Sequence, residues 1–163
     1  MQFKRPIERG QPEAARTAQR AEPAIRELIN ALRDELAESG AILVLLDQQQ
    51  KLIIARLPEA LLENAQSMST QIQALSAARS TRQRLSRELA EVLGGAAVSP
   101  FSQLAARAPS QHQRLLRALV GEINSILFYC QQRLLQNKVL LGPPPCEAPL
   151  TRKKGALLFF GLN

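Results

Sequence analysis

The stretch LLDQQQKLIIARLPEALLENAQ, residues 45–66, decides how the chain is arranged. Leu, Ile and Gln lie on both sides of one proline, Pro58, and no residue in the stretch suggests catalysis. Proline disfavours helical geometry at the preceding residue, here Leu57, and it fits the first turn of a new helix. Pro58 therefore predicts either a tight turn, which gives an antiparallel helical hairpin, or a kink, which gives one bent rod. We favour the hairpin.

Upstream of Pro58 the apolar residues recur at steps of four and three, which is the spacing of a coiled-coil seam. Only two seam positions, Ser39 and Gln50, are polar. A helix of about 33 residues would be about 50 Å long, so the pattern predicts an elongated bundle. The seam consists of Ile25, Ile29, Leu32, Leu36, Ser39, Leu43, Leu46, Gln50, Ile53 and Leu57.

Two further helices are predicted downstream. The second runs from Pro58 to a pair of glycines that follows Leu93. The third runs from about Gln111 to Leu141 and stops before a glycine and three prolines. The loop between these helices has room for one short helical turn. The apolar stripe of the third helix consists of Leu116, Leu119, Ile123, Ile126 and Cys130, supplemented by Leu115, Val120, Leu127 and Leu134.

The composition suits helix-on-helix packing. Hydrophobic residues make up 45% of the 163 residues, whereas aromatic residues make up only 4% and Trp is absent. A core of Leu, Ile and Ala packs better between helices than in a sheet sandwich. The predicted fold class is all-α, an elongated antiparallel three-helix bundle that resembles a coiled coil. We expect a flexible N-terminal arm over 1–22, the bundle over 23–141 with Pro23 in its first turn, and a flexible C-terminal tail over 142–163.

Charge and hydropathy indicate a cytoplasmic protein. The formal net charge is +7, and both terminal segments contribute to it. The sequence shows no signal peptide. Its longest apolar run, AILVLL, is far shorter than the about 20 residues of a membrane span. The two cysteines, Cys130 and Cys146, do not form a disulfide framework, and Cys130 is predicted to be a buried free thiol.

The sequence offers no constellation for catalysis, a cofactor or a metal ion. Its one histidine, His112, has no partner that could orient it as a base, and it is predicted to be solvated. The cysteines and His112 lack any recognised metal-ligand spacing. The carboxylates of Asp34, Glu35 and Glu38 flank the seam and are predicted to form a solvated face. We therefore expect no enzyme activity, no cofactor and no metal site.

The run RSTRQRLSR, residues 79–87, is the best candidate for binding nucleic acid. Phosphate contacts need Lys and Arg on one helix face, whereas the four arginines here spread over more than one face. Glu88 and Glu91 follow, and no aromatic residue is present for base stacking. The pattern therefore disfavours a nucleic-acid partner.

The third helix carries more apolar residues than three packed helices would bury. Such a surplus suits an amphipathic helix of a partner that lies in a groove. A homodimer that buries the same flank is the alternative interpretation. The C-terminal segment RKKGALLFFGLN is compatible with a membrane surface, a groove on another protein or a disordered end. The residues expected to remain on the flank of the third helix are Leu115, Leu127, Leu134 and Leu141.

The stretch from about Glu27 to Leu93 resembles the FlgN-like flagellar export chaperones. The matching run is LINALRDELAESGAILVLLDQQQKLIIARLPEALLENAQSMSTQIQALSAARSTRQRL, and LLRALVGEINSILFYCQQRLLQNKVLL matches more loosely. Members of that family have a long Leu-rich helix, a Gln-rich segment, a break and a second helix that ends in basic residues. Here ARLPEA replaces the family's usual Gly-Asp type of break, and GPPPCE stops the third helix earlier.

The resemblance implies a cytoplasmic chaperone of flagellar type III protein export. Its clients would be the C-terminal helical segments of hook-associated (filament-junction) proteins, which it would deliver to components of the export gate. A coiled-coil structural or scaffold protein is the alternative, and a basic nucleic-acid-binding helical protein is a third. The family places client binding in the C-terminal helical part, where the matching residues are Leu116, Leu119, Ile123, Ile126, Leu127, Cys130 and Leu134.

Overall fold

Helices account for almost all of the chain that the computed structural model describes, which is residues 13–95 and 100–142. The helices are α1 (Glu13–Ala55), α2 (Pro58–Val92), α3 (Phe101–Arg107) and α4 (Ser110–Leu140). No strand occurs in the described ranges, and the all-α prediction is confirmed. α1 has 43 residues, and a helix of that length extends about 65 Å.

α1 ends in a tight turn at Arg56. The Arg56 N–H bonds the Ile53 carbonyl at 3.1 Å, and the Leu57 N–H bonds the Leu52 carbonyl at 3.2 Å. Together with the positive φ of Arg56, 54°, these two bonds form a Schellman helix end. Pro58 then begins α2, at a position where a missing N–H leaves no helical bond unmade.

α2 runs back along α1, so the hairpin interpretation of Pro58 is confirmed. Near the start of α2, the Asn64 side chain bonds the Leu45 carbonyl at 3.1 Å. Further along α2, the Gln71 side chain lies 3.4 Å from the Glu38 carbonyl. Residue numbers therefore rise along α2 as they fall along α1, which is an antiparallel arrangement.

α4 runs parallel to α1. His112 near the start of α4 contacts Glu22, and Asn137 near its end contacts Leu46. Among the described residues, no Cα atom of α2 comes within 8 Å of a Cα atom of α4, whereas both helices contact α1. α1 is therefore the central helix, and a closed three-helix bundle is not confirmed.

A short fourth helix connects the two flanking helices at one end of the molecule. α3 packs on both α2 and α4. It buries Leu104 and Ala105. The sequence predicted room for one helical turn in this loop, whereas α3 has 7 residues, about two turns, and contributes to the core.

α1 begins at Glu13, so the predicted start of the first helix at Pro23 is wrong. Pro23 lies inside α1, where it cannot donate a helical hydrogen bond and lowers the stability of the helix. Ala21 and Ile25 on either side of it are fully buried. Burial of this turn against the other helices offsets the missing hydrogen bond.

The division into an arm, a bundle and a tail is only partly covered by the described residues. Residues 13–22, expected in the arm, belong to α1. Residues 1–12 and 143–163 lie outside the described residues, so the expected arm and tail stay predictions.

α1 buries a wider face than the seam predicted. Leu28, Glu35 and Ile42 are buried beside the seam residues, because two helices pack on α1. Leu57, the last seam position, is exposed, because it lies in the turn after α1.

Buried apolar side chains are unevenly distributed along the long axis. We call residues 21–32, 85–90, 104–108 and 112–123 the packed end, and residues 42–68 and 127–142 the turn end. The buried apolar residues of the turn end are Ile42, Leu46, Leu127 and Cys130. Those of the packed end are Ala21, Ile25, Leu28, Ile29, Ala31, Leu32, Leu85, Leu89, Ala90, Leu104, Ala105, Ala108, Leu116, Leu119 and Ile123.

Candidate functional site

Most of the side chains predicted to bind a client lie in the core. The buried ones are Leu116, Leu119, Ile123, Leu127 and Cys130. Ile126 is half-buried and packs against the core, whereas Leu134 is exposed. A partner helix reaches the buried side chains only if α4 separates from α1. Their spacing is that of a helix face in contact with a neighbouring helix, and here the neighbour is α1.

A different set of apolar side chains on α4 faces solvent at the turn end. Phe128 is 55% exposed, Leu135 is 57% exposed and Val139 is 79% exposed. These residues lie seven and four positions apart, so they share one face of the helix. We call Phe128, Leu135 and Val139 the outer strip. Its spacing was present in the sequence, but the more regular buried stripe concealed it.

Further apolar side chains of α4 and of the turn end are exposed. Leu115, Leu134 and Leu141 are exposed, as the flank hypothesis expected, whereas Leu127 is buried. A cluster of exposed apolar side chains at one end of a protein is typical of a surface that binds a partner. The exposed apolar residues of the turn end are Val44, Ile54, Leu57, Leu62, Phe128, Tyr129, Leu134, Leu135, Val139, Leu140 and Leu141.

Two aromatic rings form the N-terminal part of this surface. The ring centroids of Phe128 and Tyr129 are 5.9 Å apart, and the rings meet edge to face at 67°. With Asn124 and Ser125 they line an open depression of about 270 Å³. Such a depression suits one apolar side chain of a partner.

Two buried asparagines hold α1 at the turn end, one from each flanking helix. Asn64 of α2 donates to the Leu45 carbonyl at 3.1 Å, and Asn137 of α4 donates to the Leu46 carbonyl at 2.9 Å. Only the amide nitrogen can donate to a carbonyl, so each contact determines the orientation of the amide. The Oδ1 atom of each asparagine is buried without a hydrogen-bond partner. Polar contacts therefore set the register of the three helices at this end.

An ion pair joins α4 to α1 at the edge of the same interface. Arg133 Nε lies 2.5 Å from Asp47 Oδ1, although the geometry is not that of a hydrogen bond. Arg133 Nη1 also donates to Gln50 Oε1 at 2.6 Å. Gln50, a polar exception in the predicted seam, thus has a specific partner on α4.

Cys130 is a buried free thiol, as predicted. Its Sγ lies 3.8 Å from the Ser39 carbonyl. Burial, and to a smaller extent the negative charge of Asp47, raises the pKa of the Cys130 thiol to about 11. The thiolate is the reactive form of cysteine, so burial and the raised pKa both disfavour reaction of Cys130 at neutral pH.

The carboxylates of α1 do not form the solvated face that the sequence predicted. Glu35 is only 1% exposed. Its carboxylate accepts hydrogen bonds from Arg79 at 3.4 Å and from Arg82. Asp34 is exposed and Glu38 is half-buried. The prediction is wrong for Glu35 because α2 packs against the flank of the seam as well as against the seam itself.

The same contacts explain the arginine-rich run of α2. Arg79 and Arg82 neutralise Glu35, and Arg84 pairs with Glu88 at 2.7 Å. Arginines that pair within the protein are not free to neutralise phosphates. Two of the four arginines of the run therefore serve the α1–α2 interface.

His112 is not solvated, contrary to the sequence prediction. Its side chain is 16% exposed, and its Nε2 lies 2.9 Å from Glu22 Oε2. The hydrogen bond from His112 is the main reason why the pKa of the Glu22 carboxyl lies below its ordinary value of 4.5. The contact ties the start of α4 to α1. It was missed because Glu22 was expected to belong to the arm.

A membrane span and a metal centre are two further features that the described part of the chain does not contain. None of the described helices is both long and apolar enough to cross a membrane. Within residues 13–95 and 100–142, no three His, Cys, Asp or Glu side chains gather as ligands of a metal ion would. The prominent feature of the described surface is its exposed apolar end.

A long central helix, two flanking helices and an exposed apolar end define an all-α protein whose surface suits packing against another helix. Residues 24–142 match the family described as FlgN protein, and the chain belongs to this family. The resemblance seen in the sequence is thereby confirmed. No curated protein and no solved structure matches the chain. The FlgN family suggests a flagellar export chaperone.

Proposed function

We propose that this protein is a cytoplasmic chaperone of flagellar type III export that binds the C-terminal helical segments of hook-associated proteins and delivers them to the export gate. The observation that most supports this function is the outer strip, an exposed apolar helix face on a member of the FlgN family. Client segments that assemble by helix packing carry apolar stripes of their own. A complementary helix face covers such stripes reversibly.

The proposed client surface is the outer strip, and Leu134 is exposed on another side of α4. Leu134 is the member of the sequence-based set that a client reaches without opening the fold. Buried members such as Ile123 and Leu127 contribute indirectly, because they belong to the core that holds α4 against α1. Binding would draw its free energy from apolar area removed from water, at about 25 cal/mol per Å².

Charge substitution on the outer strip tests this function. Leu135→Asp combined with Val139→Asp places two carboxylates on the strip and leaves the core unchanged. We expect the variant to bind a purified C-terminal segment of a hook-associated protein at least about tenfold more weakly, because a buried unpaired charge costs more than about 1.4 kcal/mol. Leu115→Asp is the matched control, since Leu115 is an exposed leucine of α4 at the packed end.

Fluorescence anisotropy of a labelled client segment gives the affinity, and sedimentation velocity reports self-association. The control should bind the client as the unaltered protein does. Equal affinity of the control and the double variant would place client binding elsewhere on the protein. Loss of self-association with unchanged client binding would favour the homodimeric scaffold instead.

A further inference from the structure

The outer strip is an apolar face that lies open within the described chain. Val139, at its C-terminal end, is among the most exposed large apolar residues of the protein. At its other end, Phe128 borders the open depression that it shares with Tyr129. A segment that covers the strip would therefore need apolar side chains and one bulky group for the depression.

The chain itself contains a segment of this chemistry. Residues 156–162, ALLFFGL, are apolar and include Phe159 and Phe160. The basic run RKK at 152–154 precedes the segment. Residues 156–162 lie outside the described residues. An apolar run of this kind gains free energy from any contact that removes it from water.

The chain leaves α4 directly beside the outer strip. Gly142 has a positive φ of 76°, and its N–H bonds the carbonyl of Val139 at 3.1 Å. Phe128, the far end of the strip, lies about 21 Å from Gly142 along the helix. Residues 143–155 can extend over as much as about 45 Å. The whole strip is therefore within reach of residues 156–162.

We propose that residues 156–162 pack against the outer strip in the free protein, with a phenylalanine side chain in the depression beside Phe128, and that the client displaces them. The competition with the client rests on the proposed function. The contact between the segment and the strip does not depend on it.

A short tether makes even a weak contact of this kind effective. Joining two groups through a tether of this length gives a local concentration in the millimolar range. A contact that would not persist between separate molecules is therefore populated within one chain. The apparent affinity for the client falls in proportion to the fraction of strip that is free, so a strip covered nine-tenths of the time binds its client about tenfold more weakly. The segment would shield the strip until a client arrives.

Substitutions in the full-length chain test the contact. Phe159→Ser combined with Phe160→Ser removes the bulky apolar groups. Lys153→Ser combined with Lys154→Ser is the matched control, because it changes the same number of residues and keeps the apolar run. The chain has one Tyr and no Trp, so acrylamide quenching of tyrosine fluorescence reports on Tyr129, whose ring meets that of Phe128.

We expect the phenylalanine variant, but not the lysine control, to be quenched more efficiently and to bind the purified client segment more tightly. The expected increase is between about twofold and tenfold, for a strip that is covered between half and nine-tenths of the time. Equal quenching of the phenylalanine variant, the control and the unaltered chain would overturn the proposal.

The remaining outcomes separate this inference from the proposed function. Increased quenching with unchanged client affinity would keep the contact and remove the outer strip as the client surface. The quenching efficiency could instead change with protein concentration and be the same with and without the phenylalanine substitutions. That result would assign the outer strip to a second copy of the chain and overturn the contact. A third outcome is that the unaltered chain binds anionic phospholipid vesicles, that both variants lose this binding, and that quenching is the same in all three chains. This outcome would assign residues 156–162 to a membrane surface and overturn the contact with the outer strip.

Discussion

The packed end and the turn end of this protein are held together by different chemistry. At the packed end, Leu and Ile side chains from all four helices are buried together. At the turn end the register depends on Asn64 and Asn137, and large apolar side chains such as Val139 remain outside. Apolar groups that are not needed to join the helices are thus available for another molecule.

The short helix α3 accounts for much of this difference. It packs on α2 and α4 at the packed end, and it contributes Leu104 and Ala105 to the core. At the turn end the connection between α1 and α2 is only the turn at Arg56, so no additional helix packs there. One short additional helix thus decides which end stabilises the fold and which end keeps apolar side chains exposed.

The largest effect is expected from a matched pair of leucine substitutions on α4. Leu116 at the packed end is fully buried, whereas Leu135 at the turn end is 57% exposed. Leu116→Ala should lower the free energy of unfolding by about 2–5 kcal/mol, because it leaves a cavity. Leu135→Ala should change it by less than about 0.5 kcal/mol. Urea denaturation measures both, and similar losses would contradict the division into two ends.

The ion triad of Glu35 should give the next largest effect. Glu35→Gln removes the charge that Arg79 and Arg82 face across the α1–α2 interface. We expect a loss of about 1–3 kcal/mol in the free energy of unfolding, less than for a fully buried pair, because both arginines stay partly in water. Asp34→Asn is the control on an exposed carboxylate of the same helix. An unchanged urea midpoint for Glu35→Gln would show that the triad does not stabilise the fold.

Two helix ends offer a smaller comparison with opposite signs. Arg56 and Gly94 both follow a helix with a positive φ, 54° and 68°. Arg56→Gly should raise the free energy of unfolding by about 0.5–1 kcal/mol, since glycine adopts this conformation without strain. Gly94→Ala should lower it by about 1 kcal/mol, because a Cβ there meets no atom within 4 Å and only the backbone is strained. Thermal unfolding of both variants checks the signs.

The smallest effect concerns pH at the packed end. Folding lowers the pKa of the Glu22 carboxyl below 4.5, chiefly through the hydrogen bond from His112. A lowered pKa in the folded state contributes stability that is present above the unfolded pKa and is lost as the pH falls through the folded pKa. The free energies of unfolding of the unaltered protein and of Glu22→Gln should therefore converge below pH 4.5. If the two plots of unfolding free energy against pH stay parallel down to strongly acidic pH, protonation of Glu22 is not coupled to folding. Glu27→Gln serves as the control on an exposed carboxylate.

Much of the fold could be predicted because it depends on local signals. The repeat of apolar residues predicted long helices, and the proline at residue 58 predicted a turn or a kink, of which the turn was favoured. The start of α1 could not be predicted, because Pro23 is a helix-start signal whose local preference is overcome by the burial of Ala21 and Ile25. Local preference and tertiary burial point in opposite directions at this turn.

The candidate site was less predictable than the fold. The sequence located a surplus of apolar residues on α4, but it could not tell the face that meets α1 from the face that meets water. Leu127 and Leu134 are both leucines of one flank, and the structure buries the first and exposes the second. A helix presents apolar stripes in several directions, and only the position of its neighbours shows which stripe is covered.

Sequence patterns alone indicated that this chain is helical, that its first long helix is interrupted at Pro58, and that it carries more apolar residues than three packed helices bury. These properties follow from backbone preferences and side-chain spacing, which act over a few residues. The tertiary structure alone decided that Glu35 is buried, that His112 meets Glu22, and that Phe128, Leu135 and Val139 face outward. Each of these depends on which helix lies beside which, and helix neighbours are selected by the packing of residues that are far apart in the chain.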